Sequence, residues 1–256
     1  MGQINSHKRV PKCVLKQFQD EKYFVYFWDL EKGWILNRHA ESINTEEGYY
    51  SEKMEAFLRD NIETPLGHIL GFIKRIEQKD PRFTMGNEKK DIIRRYVYAL
   101  IARSGKMLTL INEKSIYAQF LSKQEQHDHA VISGLQGAVD LDLFGNWEIT
   151  FIENHTSIPF VLPLCGTYSF SFNGDTMFSV PVTPHYAITF MHPSAVPKYV
   201  VDDVMRLFQV VEPYQAMMFN KFALSSELKD SCYGIAANSR SILEGMKTEY
   251  EKQTAD

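Results

Sequence analysis

Tyr23-Phe24-Val25-Tyr26-Phe27-Trp28, Asp29-Leu30-Glu31-Lys32-Gly33 and Trp34-Ile35-Leu36 follow one another without a gap, and they decide how the first half of the chain folds. The first run is aromatic and β-branched, a composition that fits a pleated, half-buried strand. The second is polar and ends in glycine, and the third resumes the apolar run. Two strand-like segments around a short turn predict a β-hairpin. A lone hairpin is marginal in water, so these aromatic strands need a cover on at least one face.

Beyond the hairpin the period changes. Met54, Phe57, Leu58 and Ile62 fall at helical spacing, as do Leu66, Ile69, Leu70, Ile73 and Ile76. Thr64-Pro65 stands between them, with Thr suited to an N-cap and Pro to a first helical position, which predicts a break or kink. Asp80-Pro81 closes the second piece. Asn87 is placed to cap a long helix with inner face Ile92, Tyr96 and Leu100, continuing to Leu108 and Ile111. A polar helical stretch surrounds Lys123 to His129, with Gly134 and Gly137 at its exit.

After Gly145 the texture becomes strands: Trp147–Ile152, Ile158–Leu162, Tyr168–Phe172, Met177–Val180 and Tyr186–Met191. Ile149 and Phe151 alternate with Glu148 and Thr150. Asn173-Gly174-Asp175 is a hairpin signal. Val200–Val211 and Tyr214–Ala223 read as two helices split at Glu212-Pro213, and Ser239–Glu251 as a last one. The expectation is a single α+β domain over 1–256, with sub-regions 1–140 (hairpin plus helices) and 145–256 (sheet plus helices). Its parts are an N-terminal β-hairpin, a helical middle, and a mainly antiparallel C-terminal sheet with flanking helices.

Apolar residues make up 44% and charged ones 23%, ordinary for a globular chain, and 13% aromatics supply a substantial core. A formal net charge of −4 argues against a whole-molecule affinity for nucleic acid and leaves room for a local basic face. Cys13, Cys165 and Cys232 are widely spaced with no CxxC pair, which predicts reduced thiols in the cytoplasm. Met1–Pro11 is polar and basic, unlike a secretory signal. Ile92–Leu110 carries Arg94, Arg95, Arg103 and Lys106, so no membrane span is expected. Met1-Gly2-Gln3-Ile4-Asn5-Ser6 fits the short myristoylation pattern, which recurs by chance.

The opening His7-Lys8-Arg9-Val10-Pro11-Lys12-Cys13-Val14-Leu15-Lys16-Gln17-Phe18 resembles the start of bacterial domain-of-unknown-function family 4238. Members begin with a His-rich dipeptide, then Tyr-Val-Pro, a Leu and a Phe, followed by a hairpin similar to Tyr23–Leu36. A Glu and a Tyr placed as Glu46 and Tyr50 come next, then a helix with acidic residues matched by Glu55 and Glu63. A central Phe-Ile-Thr-Ser-Asp-Asn-Pro-like loop corresponds to Phe160–Gly166. A Pro-x-x-Pro strand entry corresponds to Pro181–Pro184, and a late helical Asn to Asn220. The likeness spreads over about nine-tenths of the chain, judged on one sequence. Two departures stand out: Lys8 replaces the second His, and Pro163-Leu164 replaces the Ser-Asp pair, removing its carboxylate. The resemblance therefore carries fold further than chemistry.

His7 with Glu46, Glu55 and Glu63 is the candidate catalytic set. Imidazole and carboxylates at one site serve acid–base chemistry or hold a divalent cation, the only cofactor this reading needs. Glu55 and Glu63, eight apart, share a face of an unbroken helix. Lys90, Arg94, Arg95 and Arg103, beside Lys89 and Lys106 and interleaved with Tyr96 and Tyr98, form the candidate nucleic-acid-binding set, the alternative being a solvated helix face. His127-Asp128-His129 would share a face only in a strand; its surroundings read as helix or loop. GxGxxG, GxxxxGK[ST] and HExxH motifs are missing. The expected function is an interaction or binding protein with a protein or nucleic-acid partner; the family context implies conflict between bacteria and mobile elements. The alternative is a metal-assisted hydrolase acting on nucleic acid.

Overall fold

The computed structural model describes residues 5–76, 86–172, 174–195, 200–201, 204–205, 208–224 and 233–254. In chain order these form β1 (Asn5–His7), α1 (Lys12–Leu15), β2 (Val25–Asp29), β3 (Ile35–Arg38), β4 (Thr45–Glu47), α2 (Glu52–Leu58), α3 (Thr64–Ile76), α4 (Asn87–Ala102), α5 (Gly105–Lys114) and α6 (Lys123–Asp140). There follow β5 (Glu148–Asn154), β6 (Leu162–Pro163), β7 (Tyr168–Phe172), β8 (Asp175–Pro181), β9 (Tyr186–Met191), β10 (Val200–Val201), β11 (Val204–Met205) and β12 (Phe208–Val210). The last elements are α7 (Pro213–Lys221), β13 (Gly234–Ala237) and α8 (Arg240–Thr254). The chain is α+β, with mainly antiparallel sheets and flanking helices. Among the described residues no helix is long and apolar enough to cross a membrane. Asp80-Pro81, Asn173, Cys232 and Met1–Ile4 of the myristoylation-like pattern lie outside the described residues.

The described parts of Met1–Cys13 and Asn44–Asn146 make one compact unit, unit 1, and those of Val14–Ile43 and Trp147–Asp256 a second, unit 2. The hairpin, which chain order groups with the helices of 1–140, belongs to unit 2 with the C-terminal strands.

In unit 1, β1 pairs antiparallel with β4 in the register Ser6↔Glu46 and His7↔Thr45. Thr64 does not cap a new helix; its φ of −66° and ψ of −48° are helical and its N–H donates to the Arg59 carbonyl. Residues Arg59–Glu63 are a π-helical turn joining α2 to α3. Pro65 has no N–H to return to the preceding turn, and the helix widens there instead of breaking. Gly86, not Asn87, caps α4; the expected Tyr96 and Leu100 are buried, together with Val97, and Ile93 takes the inner place expected of Ile92. That helix stops at Arg103; Ser104 starts α5 by accepting the Met107 N–H at 3.2 Å, so Leu108 and Ile111 lie on a separate helix. α6 runs through Gly134 and Gly137. Gly134 lies against α4 so closely that a Cβ there would stand 2.7 Å from the Ala102 Cβ.

In unit 2, five strands lie in the order β12-β5-β9-β8-β7, antiparallel except for the parallel β12–β5 edge. Thr150 faces Thr189, which faces Ser179 with 2.6 Å between hydroxyls, a polar row buried across three strands. The expected outward Thr150 is thus internal, because β5 is flanked on both edges and covered on both faces. The described parts of Val200–Val211 are strands, not a helix: β10 pairs with β11, and β12 joins β5. The β-branched Val200, Val201, Val204 and Val210 favour extended backbone over the helical spacing they happen to satisfy.

The hairpin β2–β3 extends into a second sheet, β3-β2-β13-β6. β13 sits beside β2 with Gly234 under Phe27, where a Cβ would come within 2.0 Å of the ring. α8 covers this sheet: Leu243 packs with Trp28, Ile235 and Ala237, and Tyr250 meets the Trp28 ring edge-on at 6.0 Å. Of the expected strand Ile158–Leu162 only Leu162 pairs, in β6 with Pro163 just beyond it. The rest is clasped by Asn220, which accepts from the Val161 N–H at 3.0 Å and donates to the Pro159 carbonyl at 2.9 Å.

Candidate functional site

Arg103, at the C-terminal end of α4, is 4% exposed, although the sequence places it on a basic outer face. A buried charge costs several kcal/mol unless it is paired. Its Nε donates to the Lys8 carbonyl at 3.2 Å and its Nη2 to the His7 carbonyl. Its Nη1 stands 3.7 Å from Glu63 Oε1, close enough for ion pairing and too far for a hydrogen bond. The guanidinium carbon lies 5.4 Å from the centroid of the Tyr50 ring, and the Tyr50 hydroxyl donates to the same Lys8 carbonyl at 2.9 Å.

Glu55, from α2, turns into the same cluster and acts electrostatically on Glu63, Arg103 and Tyr50. Its Oε1 is buried without a hydrogen-bond partner, as is the hydroxyl of the fully buried Tyr96. In a regular α-helix, eight residues overshoot two turns by roughly 0.8 of a residue. The π-helical turn is wider by one residue per hydrogen-bonded ring, and it takes up that excess. Burial pushes the Glu63 carboxyl above its ordinary range; the Arg103 charge opposes this and the Glu55 charge adds to it. Burial likewise raises the Tyr50 and Tyr96 hydroxyls. For Arg103 burial acts downward, but Tyr50 and Glu63 hold it above its usual value and so cationic.

The four candidate catalytic residues therefore separate. Glu55 and Glu63 meet, around a guanidinium. His7 contributes its backbone carbonyl to the same guanidinium. Glu46, on β4, instead pairs with Lys8 at 2.6 Å and Lys123 at 3.4 Å, and the Lys8 hydrogen bond holds its carboxyl below the ordinary range. Among the described residues no three His, Cys, Asp or Glu side chains gather as a group that would hold a metal ion. His127, Asp128 and His129 lie on α6 and diverge: the His127 ring stacks on Tyr49 at 3.8 Å with Nδ1 2.9 Å from the Tyr49 carbonyl, while Asp128 accepts the Ser51 N–H at 3.1 Å.

The basic set is also divided. Arg94 donates from Nε to the Phe144 carbonyl at 3.1 Å and from Nη1 to Asp91 at 2.9 Å. Tyr96 and Tyr98 are buried, so they offer no platform for bases. Lys90 is half-buried; Arg95 is exposed beside Glu88, Asp91 and Asp60, in a cleft of mixed charge.

A groove of about 570 Å³ opens between α2 and α6 on unit 1. Met54 and Phe57 form one wall; Ile132, Leu135 and Val139 form the other, with Ile132 57% and Val139 59% exposed. α6 buries His127, Val131, Gly134 and Ala138 on its other side. It thus carries two apolar stripes, one packed and one open. That double stripe at helical spacing was the signal in the sequence for the groove; Tyr96 was expected on the inner face of its helix and is buried there, whereas nothing comparable marked Tyr50 or Arg103 as internal. The chain was compared with protein-family models, curated proteins and solved structures, and it matches none of them.

Proposed function

We propose that this chain is a binding protein of the bacterial cytoplasm whose unit 1 takes an apolar helix face of a protein partner in the α2–α6 groove. The supporting observation is the open stripe Ile132–Leu135–Val139 facing Met54 and Phe57, an apolar furrow of the kind that receives an amphipathic helix. The bacterial and cytoplasmic setting, and a role in conflict with mobile elements, rest on the likeness of His7–Phe18, the hairpin and the matched positions farther along the chain to family 4238. The Ile132→Glu/Val139→Glu variant tests the groove, since both side chains are largely exposed and their replacement leaves the packed stripe intact. Proteins retained from a bacterial lysate by the wild type should be lost from the variant at unchanged melting temperature. The retained protein, once purified, should bind the variant at least about tenfold more weakly, the loss of one or two buried anchors. Retention of the same proteins by both forms refutes the groove as the binding surface.

A further inference from the structure

Ile116, Tyr117 and Phe120 stand on the turn between α5 and α6 of unit 1 and are 77%, 75% and 78% exposed. Large apolar side chains gathered this openly mark a contact surface. The turn that carries them is nevertheless firmly built. Ala118 at its centre is buried, and Ala118–Phe120 form a tight 3-10 turn. From α6, the Gln126 amide donates to the Ala118 carbonyl at 2.9 Å and to the Leu121 carbonyl at 3.2 Å. The Gln119 amide donates to the Ile116 carbonyl at 3.2 Å. The N–H groups of Ala118, Phe120 and Leu121 donate to the carbonyls of Ser115, Tyr117 and Ala118 at 3.2, 3.0 and 3.1 Å.

The carbonyls of Ser115, Ile116, Tyr117, Ala118 and Leu121 are thus all satisfied from within unit 1. A protein partner brings hydrogen bonds of its own to an interface; hydrocarbon brings none, and it admits only backbone that is already paired. The side chains suit the same medium, since Ile and Phe partition into it and a Tyr hydroxyl rests among headgroups. Lysines bracket the turn: Lys114 closes α5 and Lys123 opens α6. Lys123 is 77% exposed and also reaches Glu46 at 3.4 Å. Of the carboxylates beside them, Glu125 is engaged by Ser122, and Glu113 is exposed next to Lys114.

We propose that Ile116, Tyr117 and Phe120 form a membrane-dipping turn that rests unit 1 on an anionic bilayer, with Lys114 and Lys123 against the lipid phosphates. The contact is peripheral: three side chains enter the headgroup and upper acyl region, and no segment crosses. It is weak and reversible, and it is independent of the groove, which lies farther along α6.

Flotation of the full chain with phosphatidylglycerol–phosphatidylethanolamine vesicles tests it. The wild type should rise with the vesicles, and Ile116→Ser/Phe120→Ser should partition at least about tenfold more weakly, each buried side chain being worth about that factor. Both positions are exposed, so the variant should keep the wild-type melting temperature. Phosphatidylcholine vesicles should hold the wild type about fivefold less well for each lysine that reaches the anionic surface. Ile132→Glu/Val139→Glu should float as the wild type does, which separates this turn from the groove. Failure of the wild type to float, equal flotation of the Ile116→Ser/Phe120→Ser variant, or flotation indifferent to lipid charge overturns the proposal. Self-association of the wild type without vesicles, lost in that variant, assigns the turn to a second copy of the chain and overturns it as well.

Discussion

Asn220 and Arg103 do the same job in different units: each satisfies backbone groups of a neighbouring segment. Asn220 spends its oxygen on Val161 and its amide nitrogen on Pro159 from the buried face of its helix. Asn220→Ala leaves both backbone groups buried and unpaired, and should destabilise the protein by about 1–3 kcal/mol in urea denaturation. Asn220→Asp keeps the acceptor for Val161 but sets a carboxylate against the Pro159 carbonyl, so it should cost at least as much. Arg103→Met strands Glu55 and Glu63 without a counter-charge; breaking a buried pair from one side predicts a loss of about 3–5 kcal/mol.

Among the elements, α6 shows how a helix reveals itself only in part. Its capping box, in which Ser122 and Glu125 exchange hydrogen bonds at 3.3 Å and 2.8 Å, and its polar first turns are plain in the sequence. Gly134 and Gly137 look like an exit, yet Gly134 is there for the close approach of α4. Gly134→Val forces the two helices apart and should cost about 1–3 kcal/mol, more than the helix propensity it gains. The hairpin was legible from its aromatic runs, whereas its partner strand Gly234-Ile235-Ala236-Ala237 was not: four small or apolar residues show neither alternation nor a turn signal. That small strand lets α8 reach Trp28, and Leu243→Ala, removing a fully buried side chain at that contact, should lower stability by about 2–5 kcal/mol.

Across the whole molecule, two buried titrating groups pull the pH dependence of stability in opposite directions. Burial lowers the His127 imidazole from its ordinary value of 6.5, so its contribution is present above that value and lost as pH falls through the lowered one. Glu63, raised by burial, contributes below the ordinary glutamate value and loses that contribution as pH rises through its elevated one. The two contributions oppose each other, so the urea midpoint measured from pH 7.5 down to pH 5 should fall less, or rise more, in His127→Phe, which keeps a ring to stack on Tyr49, than in the wild type. Local patterns were readable in most places: the hairpin, four of the five strands expected between Gly145 and Met191, α2, α3, α7 and α8, because propensity and period act between residues near in sequence. That Arg103 turns inward, that Glu63 meets its guanidinium, and that Phe208–Val210 pairs along β5 are decided between segments far apart in the chain. By itself, then, the sequence determined an α+β chain and where most of its elements run; the tertiary structure alone decided which charges are buried together and which apolar stripe stays open, since burial is set by what packs against a residue and not by its neighbours in the chain.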